Sequence, residues 1–428
     1  MAKIKPFKAL MYSDAVKNAK QLVCPPYDII NDEQRAALLD KNEHNLIRLE
    51  LPKGESPYKD AATTLKKWVS DGVLKSDERE GIYIYEEKFE VKGKSYSLKG
   101  FVSLVRLYEF SQGVVLPHEE TLSKAKEDRF NLMTETGVSF SQIYSLYMDE
   151  ERIVENRLNS LSDRPADVTF TDDDNVTHSL WCVYNKADID FIAEQMADKK
   201  LYIADGHHRY ETALNFARAN SKDLKDDNER TNYCMMMQVN IECDGLVVFP
   251  THRVLHSIEN FDAASLLKRC KGDFEIEENL PLNDVETILE KAYDKGEKAF
   301  AFYCGGESFS LMTLKNTAVM QSVLPDKSKA SQNLDVSVLH SLVLERLFGI
   351  DRENMANQKN LFYTRDISEA ISEVKEGRAN CSFLINPTKV VEIRDVAAAG
   401  EKMPQKSTYF YPKLTTGLVM NKFREPKE

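Results

Sequence analysis

Apolar and polar positions recur with two different periods along this chain, and the switches between them mark out its elements. Residues 31–42 (NDEQRAALLDKN) combine an Asn cap, early acids and a helical spacing of apolar side chains, and residues 60–74 repeat that spacing. Between residues 81 and 108 the period drops to two on either side of Lys92-Gly93-Lys94, which predicts a hairpin. Helices are then expected over 123–136, 150–161 and 188–197. They alternate with strands at 139–147, at 168–184 around an acidic turn (Asp172 to Asp174), and at 201–203. Residues 232–239 and 245–253 read as two buried strands meeting at Cys243-Asp244-Gly245. Past 256–261 the pattern predicts a small α/β unit, with helices at 262–270 and 282–295 and strands at 274–276, 298–303 and 308–313. An amphipathic helix at 336–348, another at 367–376 and a strand at 381–386 complete an α+β chain without repeats or low-complexity tracts. The expected division is a core over 1–256, a small α/β domain over 257–330 (lid, spacer or dimerisation element) and a C-terminal segment over 331–428. A homodimer is left open.

Composition narrows the class. The 428 residues suffice for two or more domains with sizeable cores. Lysine and arginine number 57 against 69 acids, a net −12, which argues against a general nucleic-acid-binding surface. No apolar run approaches the roughly 20 residues of a membrane span, and the opening MAKIKPFKAL does not read as a secretory signal. Seven scattered cysteines without a CxxC pair fit reduced thiols, so a cytoplasmic protein is expected, with no membrane partner.

The densest chemistry lies in LYIADGHHRYETAL, residues 201–214. An apolar strand runs into Asp205-Gly206-His207-His208-Arg209, and a helical pattern begins at about His208. Gly206 permits a sharp turn and close backbone approach. The first-turn N–H groups of the following helix lack intrahelical partners and favour an anion. Arg209 adds a planar fork of donors suited to phosphate, and the two histidines add donors of either charge near neutrality. Because His207 and His208 are adjacent rather than three or four apart, they do not suit a shared zinc ion.

These residues resemble the signature turn of the ParB/sulfiredoxin fold, most closely that of its free-serine kinases, which carry the same DGHHR string. LPHEET (116–121) resembles the segment supplying the catalytic glutamate of those kinases. KMPQKSTYFYPKLTTGLV (402–419) resembles the segment that closes their site. The whole chain is also similar to an uncharacterised-domain family with a Cys-Pro-Pro-Tyr-Asp opening (Cys24 to Asp28), the Pro-His-Glu segment, the DGHHR turn and a Pro-Thr-His-Arg element (Pro250 to Arg253). The resemblance implies a ParB/sulfiredoxin-like catalytic core that phosphorylates the hydroxyl of free L-serine. Glu119 becomes the general base and Glu120 its decoy. Asp205 is cast as a catalytic residue and magnesium ligand, with helix capping as a compatible second role. His207 is placed with the catalytic residues, and Gly206, His208, Arg209 and Arg129 with the donor phosphates. His118, Lys406, Ser407 and Thr408 are assigned to the substrate. Lys124, Lys126, His252 and Arg253 are candidates whose reach the sequence does not decide. Asp28 either meets the substrate ammonium or, the favoured reading, caps the helix that starts nearby.

Competing chemistries lack their residues. A sulfiredoxin needs cysteine where His207 stands, and a ParB-like switch would carry a DNA-binding helix-turn-helix and a basic face. P-loop and protein-kinase strings are absent. The expected cofactors are Mg²⁺ and a phosphoryl donor, pyrophosphate being slightly favoured over ATP or ADP because no base-binding motif is recognisable. A non-catalytic phosphate- or nucleotide-binding regulator is the alternative.

Overall fold

The structure is a computed structural model that describes every residue except 1, 14–17, 120–122, 405 and 428, and every described side chain except those of 123, 124 and 356. The chain forms two compact units. Residues 2–117, 123–247 and 412–427 make the first, and residues 118–119 and 248–411 the second.

The first unit is built on a nine-stranded mixed sheet. From one edge its strands are Val115–Leu116, Leu201–Asp205, Ile143–Tyr147 and Tyr233–Asn240. The order continues through Lys94–Arg106, Ile82–Val91, Thr177–Val183 and Val168–Thr171, while Ile4–Lys5 also pairs with Lys94–Arg106. The expected hairpin is present, turning at Lys92 and Gly93, both at positive φ. Two pairings are parallel, Leu201–Asp205 with Val115–Leu116 and Tyr233–Asn240 with Ile143–Tyr147. Helix His207–Asn220 packs Tyr210, Ala213, Leu214 and Ala217 onto this sheet's core with Ile143, Leu201 and Ile203. Asn31 caps helix Asp32–Lys41 through a reciprocal pair of bonds with Gln34. Asp28 is therefore not that cap: it lies exposed in the short 3-10 turn Tyr27–Ile29.

The second unit carries an all-antiparallel six-stranded sheet. Its strand order is Phe274–Pro281, Ser308–Leu314, Ala299–Tyr303, Cys381–Ile385, His252–Leu255, Leu361–Thr364. These strands come from both sides of the expected breaks at 256/257 and 330/331, because the central strand Cys381–Ile385 joins Ala299–Tyr303 to His252–Leu255. The expected single strand over 245–253 is divided into Val247–Phe249 and His252–Leu255, with Pro250, which has no N–H for a ladder, at the break. The helix expected over 60–74 runs instead from Pro57 to Ser70, and Leu74–Ser76 is a strand against Leu10–Tyr12. The helix expected over 336–348 is interrupted by a π-helical segment, His340–Glu345. No helix among the described residues is long and apolar enough to cross a membrane, and all seven cysteines are free thiols.

A charged cluster is buried in the first sheet. His178 lies opposite Glu87, with Nδ1 2.7 Å from the Tyr85 hydroxyl and Nε2 3.0 Å from Asp172 Oδ2. Burial alone would lower the pKa of this imidazole, but hydrogen bonds and charge from Asp172 and Glu87 outweigh it and raise the value to about 9. A raised folded-state pKa contributes stability that is complete below the unfolded value of roughly 6.5 and is lost as pH rises through about 9. Wild-type protein is expected to lose on the order of 2–3 kcal/mol over that window, and His178→Gln to show little of the loss. Thermal midpoints measured across the window check this; parallel curves for the two proteins would contradict it.

Candidate functional site

Asp205 closes its strand at an irregularity. The register against Ile143–Tyr147 shifts between Ile203 and Asp205, so the last residue departs from the regular alternation that precedes it. Gly206 follows at φ +89° and opens helix His207–Asn220. A Cβ at this position would meet the Arg209 guanidinium, with Nε at 2.9 Å, because Arg209 folds back across the glycine. Arg209 Nη2 then donates to Asp205 Oδ2 at 2.5 Å, and Nη1 donates to the Gln142 carbonyl. The other carboxylate oxygen, Oδ1, accepts from Lys413 Nζ. Side-chain exposures of 10% for Arg209, 14% for Asp205 and 12% for Lys413 place the triad out of bulk water.

Burial pushes the Asp205 carboxyl upward, but Lys413 and then Arg209 more than compensate and hold it well below the usual carboxylate range. The turn thus carries one anion and two cations at the positive end of a helix dipole, a net excess of positive charge. His207 is buried and His208 half-buried in the first helical turn. Gln142 also donates from its amide to the Thr415 carbonyl at 3.0 Å. Thr416 pairs through the backbone with Cys24, which ties the Cys-Pro-Pro-Tyr-Asp segment to the same neighbourhood.

Two of the expected ligands meet protein partners in this structure. Both carboxylate oxygens of Asp205 face cations. Arg129 is occupied elsewhere: its Nη1 donates to the Glu50 carbonyl at 2.6 Å, and Nη2 and Nε donate to Asp128 at 2.6 and 2.8 Å. Its guanidinium also stacks 4.1 Å over Tyr27. That makes Arg129 a clamp on buried Glu50, whose carboxyl burial raises despite the opposing pull of Arg129 and Arg209. Lys126 pairs with Glu211 at 2.7 Å. The side chain of Lys124 and all of Glu120 lie outside the described residues.

The remaining candidates belong to the second unit, where several meet. Glu119, half-buried, forms a parallel bridge with Met403, whose N–H donates to the His118 carbonyl at 2.7 Å. His118 is fully buried, with Nε2 3.0 Å from the Thr408 hydroxyl. Ser407 is also buried, but its hydroxyl donates to the Pro404 carbonyl at 2.6 Å, which makes it a turn-former. Lys406 is exposed at φ +54°, and its carbonyl accepts from Arg253 Nη2 at 3.2 Å. Arg253 is fully buried and feels the charge of Glu119, although burial dominates and lowers its pKa to about 10. His252 accepts from the Ile385 N–H at 3.1 Å; burial, and then Arg253, lower its pKa to about 3.

Sequence reasoning missed Lys413, Gln142 and Glu50. Lys413 carried a signal, a lone lysine between Pro412 and Leu414 in an otherwise apolar run, which calls for a buried acid as partner.

The family described as "Protein of unknown function (DUF1015)" matches residues 4–337. No curated protein matches the chain. Among solved structures, a conserved hypothetical protein from Pyrococcus furiosus aligns at 15% identity and a TM-score of 0.33, covering 70% of this chain and 87% of that one. A free serine kinase in complex with AMP aligns at 14% identity and 0.34, covering 70% and 84%. SbnI with C-terminal truncation from Staphylococcus aureus aligns at 11% identity and 0.35, covering 76% and 90%. Likenesses at this level leave the function to be argued from the chain's own residues.

The triad makes Lys413→Met informative. The variant is expected to lose on the order of 2 kcal/mol at neutral pH, less than a fully broken buried pair because Arg209 stays. A depressed carboxylate pKa contributes stability that is present above the unfolded value and lost as pH falls through the folded one. The gap between variant and wild type should therefore be full above roughly pH 4 and narrow below it. Urea denaturation at several pH values measures the gap; a constant difference would contradict the pairing.

Proposed function

The chain belongs to the DUF1015 family, and we propose that this member is a phosphotransferase that phosphorylates the hydroxyl of free L-serine. The observation that supports this most is the pairing of Glu119 with Met403 and of His118 with Thr408, which lays the Pro-His-Glu segment beside the Lys-Ser-Thr segment as a serine kinase would need. The DGHHR turn supplies the donor side. In this reading Arg209, Lys413 and the first-turn N–H groups at His207 and His208 hold donor phosphates, while Asp205 fixes the two cations in place. Serine Oγ attacks the terminal phosphorus, the new O–P bond forms as the bridging P–O bond breaks, the leaving phosphate takes that electron pair, and Glu119 takes the hydroxyl proton. The core is of the ParB/sulfiredoxin type in this reading, and pyrophosphate is slightly preferred as donor over ATP or ADP.

Purified protein incubated with Mg²⁺ and L-serine, with pyrophosphate, ATP and ADP as parallel donors, is expected to form O-phosphoserine from one of them. Glu119→Gln should lower turnover roughly 10²- to 10⁴-fold, the usual worth of a general base, while leaving donor affinity intact. Glu120→Gln should have little effect. No product from folded protein with any donor, or full activity in Glu119→Gln, would overturn the assignment.

A further inference from the structure

Strand His252–Leu255 of the second unit buries an arginine beside the apolar Val254 and Leu255. The Arg253 side chain is 0% exposed, between its cross-strand partners Tyr363 and Phe383. Nη1 donates to the Thr251 carbonyl and Nη2 to the Lys406 carbonyl at 3.2 Å, while Nε has no hydrogen-bond partner. The guanidinium lies 5.4 Å from the centre of the Tyr363 ring, and the buried hydroxyl of that tyrosine is also without a partner. The charge of Glu119 reaches both Arg253 and Tyr363, yet among the described residues Arg253 forms no ion pair.

A buried cation that meets only two neutral carbonyls is costly, and an apolar side chain of similar volume would avoid the cost. A carboxylate is the group that matches the guanidinium fork, through two parallel charge-assisted bonds. Serine carries its hydroxyl and its carboxylate on adjacent carbons. A base at the hydroxyl and a cation at the carboxylate must therefore stand near each other without pairing, which is the relation of Glu119 to Arg253. Lys406 belongs to the Lys-Ser-Thr segment and holds φ +54°, a conformation that side chains seldom adopt, so its carbonyl is a poor competitor for Nη2.

We propose that Arg253 determines the specificity of the serine site by binding the substrate carboxylate, in place of the Lys406 carbonyl, with the Tyr363 hydroxyl as a second donor. This rests on the kinase reading and adds that the acceptor is a free amino acid rather than an amino alcohol or amide. The test compares L-serine with L-serinamide, whose carboxylate is replaced by a neutral amide, both as ligands in calorimetry and as phosphoryl acceptors. Wild type is expected to favour L-serine about tenfold to hundredfold, the effect of charge-assisted hydrogen bonds. Arg253→Met, with folding verified by circular dichroism, should treat the two alike because it loses affinity for L-serine alone. Tyr363→Phe, which keeps the packing, and Arg253→Lys, which keeps the charge but not the fork, should each lose part of the preference. Equal weakening of both ligands in Arg253→Met would mark a merely structural arginine and overturn the assignment, as would an undiminished preference in all three variants. Phosphoserine formed by wild type without preference for L-serine over L-serinamide sinks this inference and spares the kinase reading; no phosphoserine and no L-serine binding sinks both.

Discussion

The interaction on which the rest of the first unit depends is the pairing of one buried carboxylate with two cations. Asp205 lies at the end of a core strand, Arg209 four residues on in the next helix, and Lys413 more than two hundred residues away. Taking any one of these charges out of water alone would be costly; together they satisfy one another and leave a positive excess at a helix N-terminus. The arrangement also explains why glycine stands at 206. Arg209 reaches Asp205 only by crossing the space a Cβ would fill, and the backbone there adopts a conformation that side chains rarely accept.

The pairing has consequences for chain organisation. The chain leaves the first unit at 247 and re-enters it at 412, and Lys413 is the second residue after the return. From there the segment continues through Thr415, which accepts from Gln142, and Thr416, which pairs with Cys24. Gln142 in turn receives Arg209. Three stretches far apart in sequence are thus closed around one turn, while Arg129 clamps Glu50 and covers Tyr27.

Local signals were readable because the physics that produces them is local. The Asn31 cap, the Lys92-Gly93 hairpin and the strand-Gly-helix turn at 201–209 each depend on a few neighbouring residues, and each is present. What the sequence concealed depends on partners distant along the chain. Arg129, expected at the donor phosphates, meets Glu50 and Asp128, and Asp205, expected at magnesium, meets Lys413, all through contacts that no local pattern announces. The expected break at 256/257 failed to mark a boundary because Cys381–Ile385 inserts between strands from either side of it. The DUF1015 match covers most of the chain but carries no activity with it.

The account holds that Asp205 serves an anion site by fixing its cations, even though it is itself an anion. Calorimetric titration of pyrophosphate into wild type and into Asp205→Asn, with folding verified by circular dichroism, separates this from simple electrostatics. Removing a negative charge should strengthen anion binding if charge alone matters. The positioning account predicts that affinity falls about tenfold or more, as bonds to unfixed cations lose their geometry. Equal or tighter binding in Asp205→Asn would contradict it.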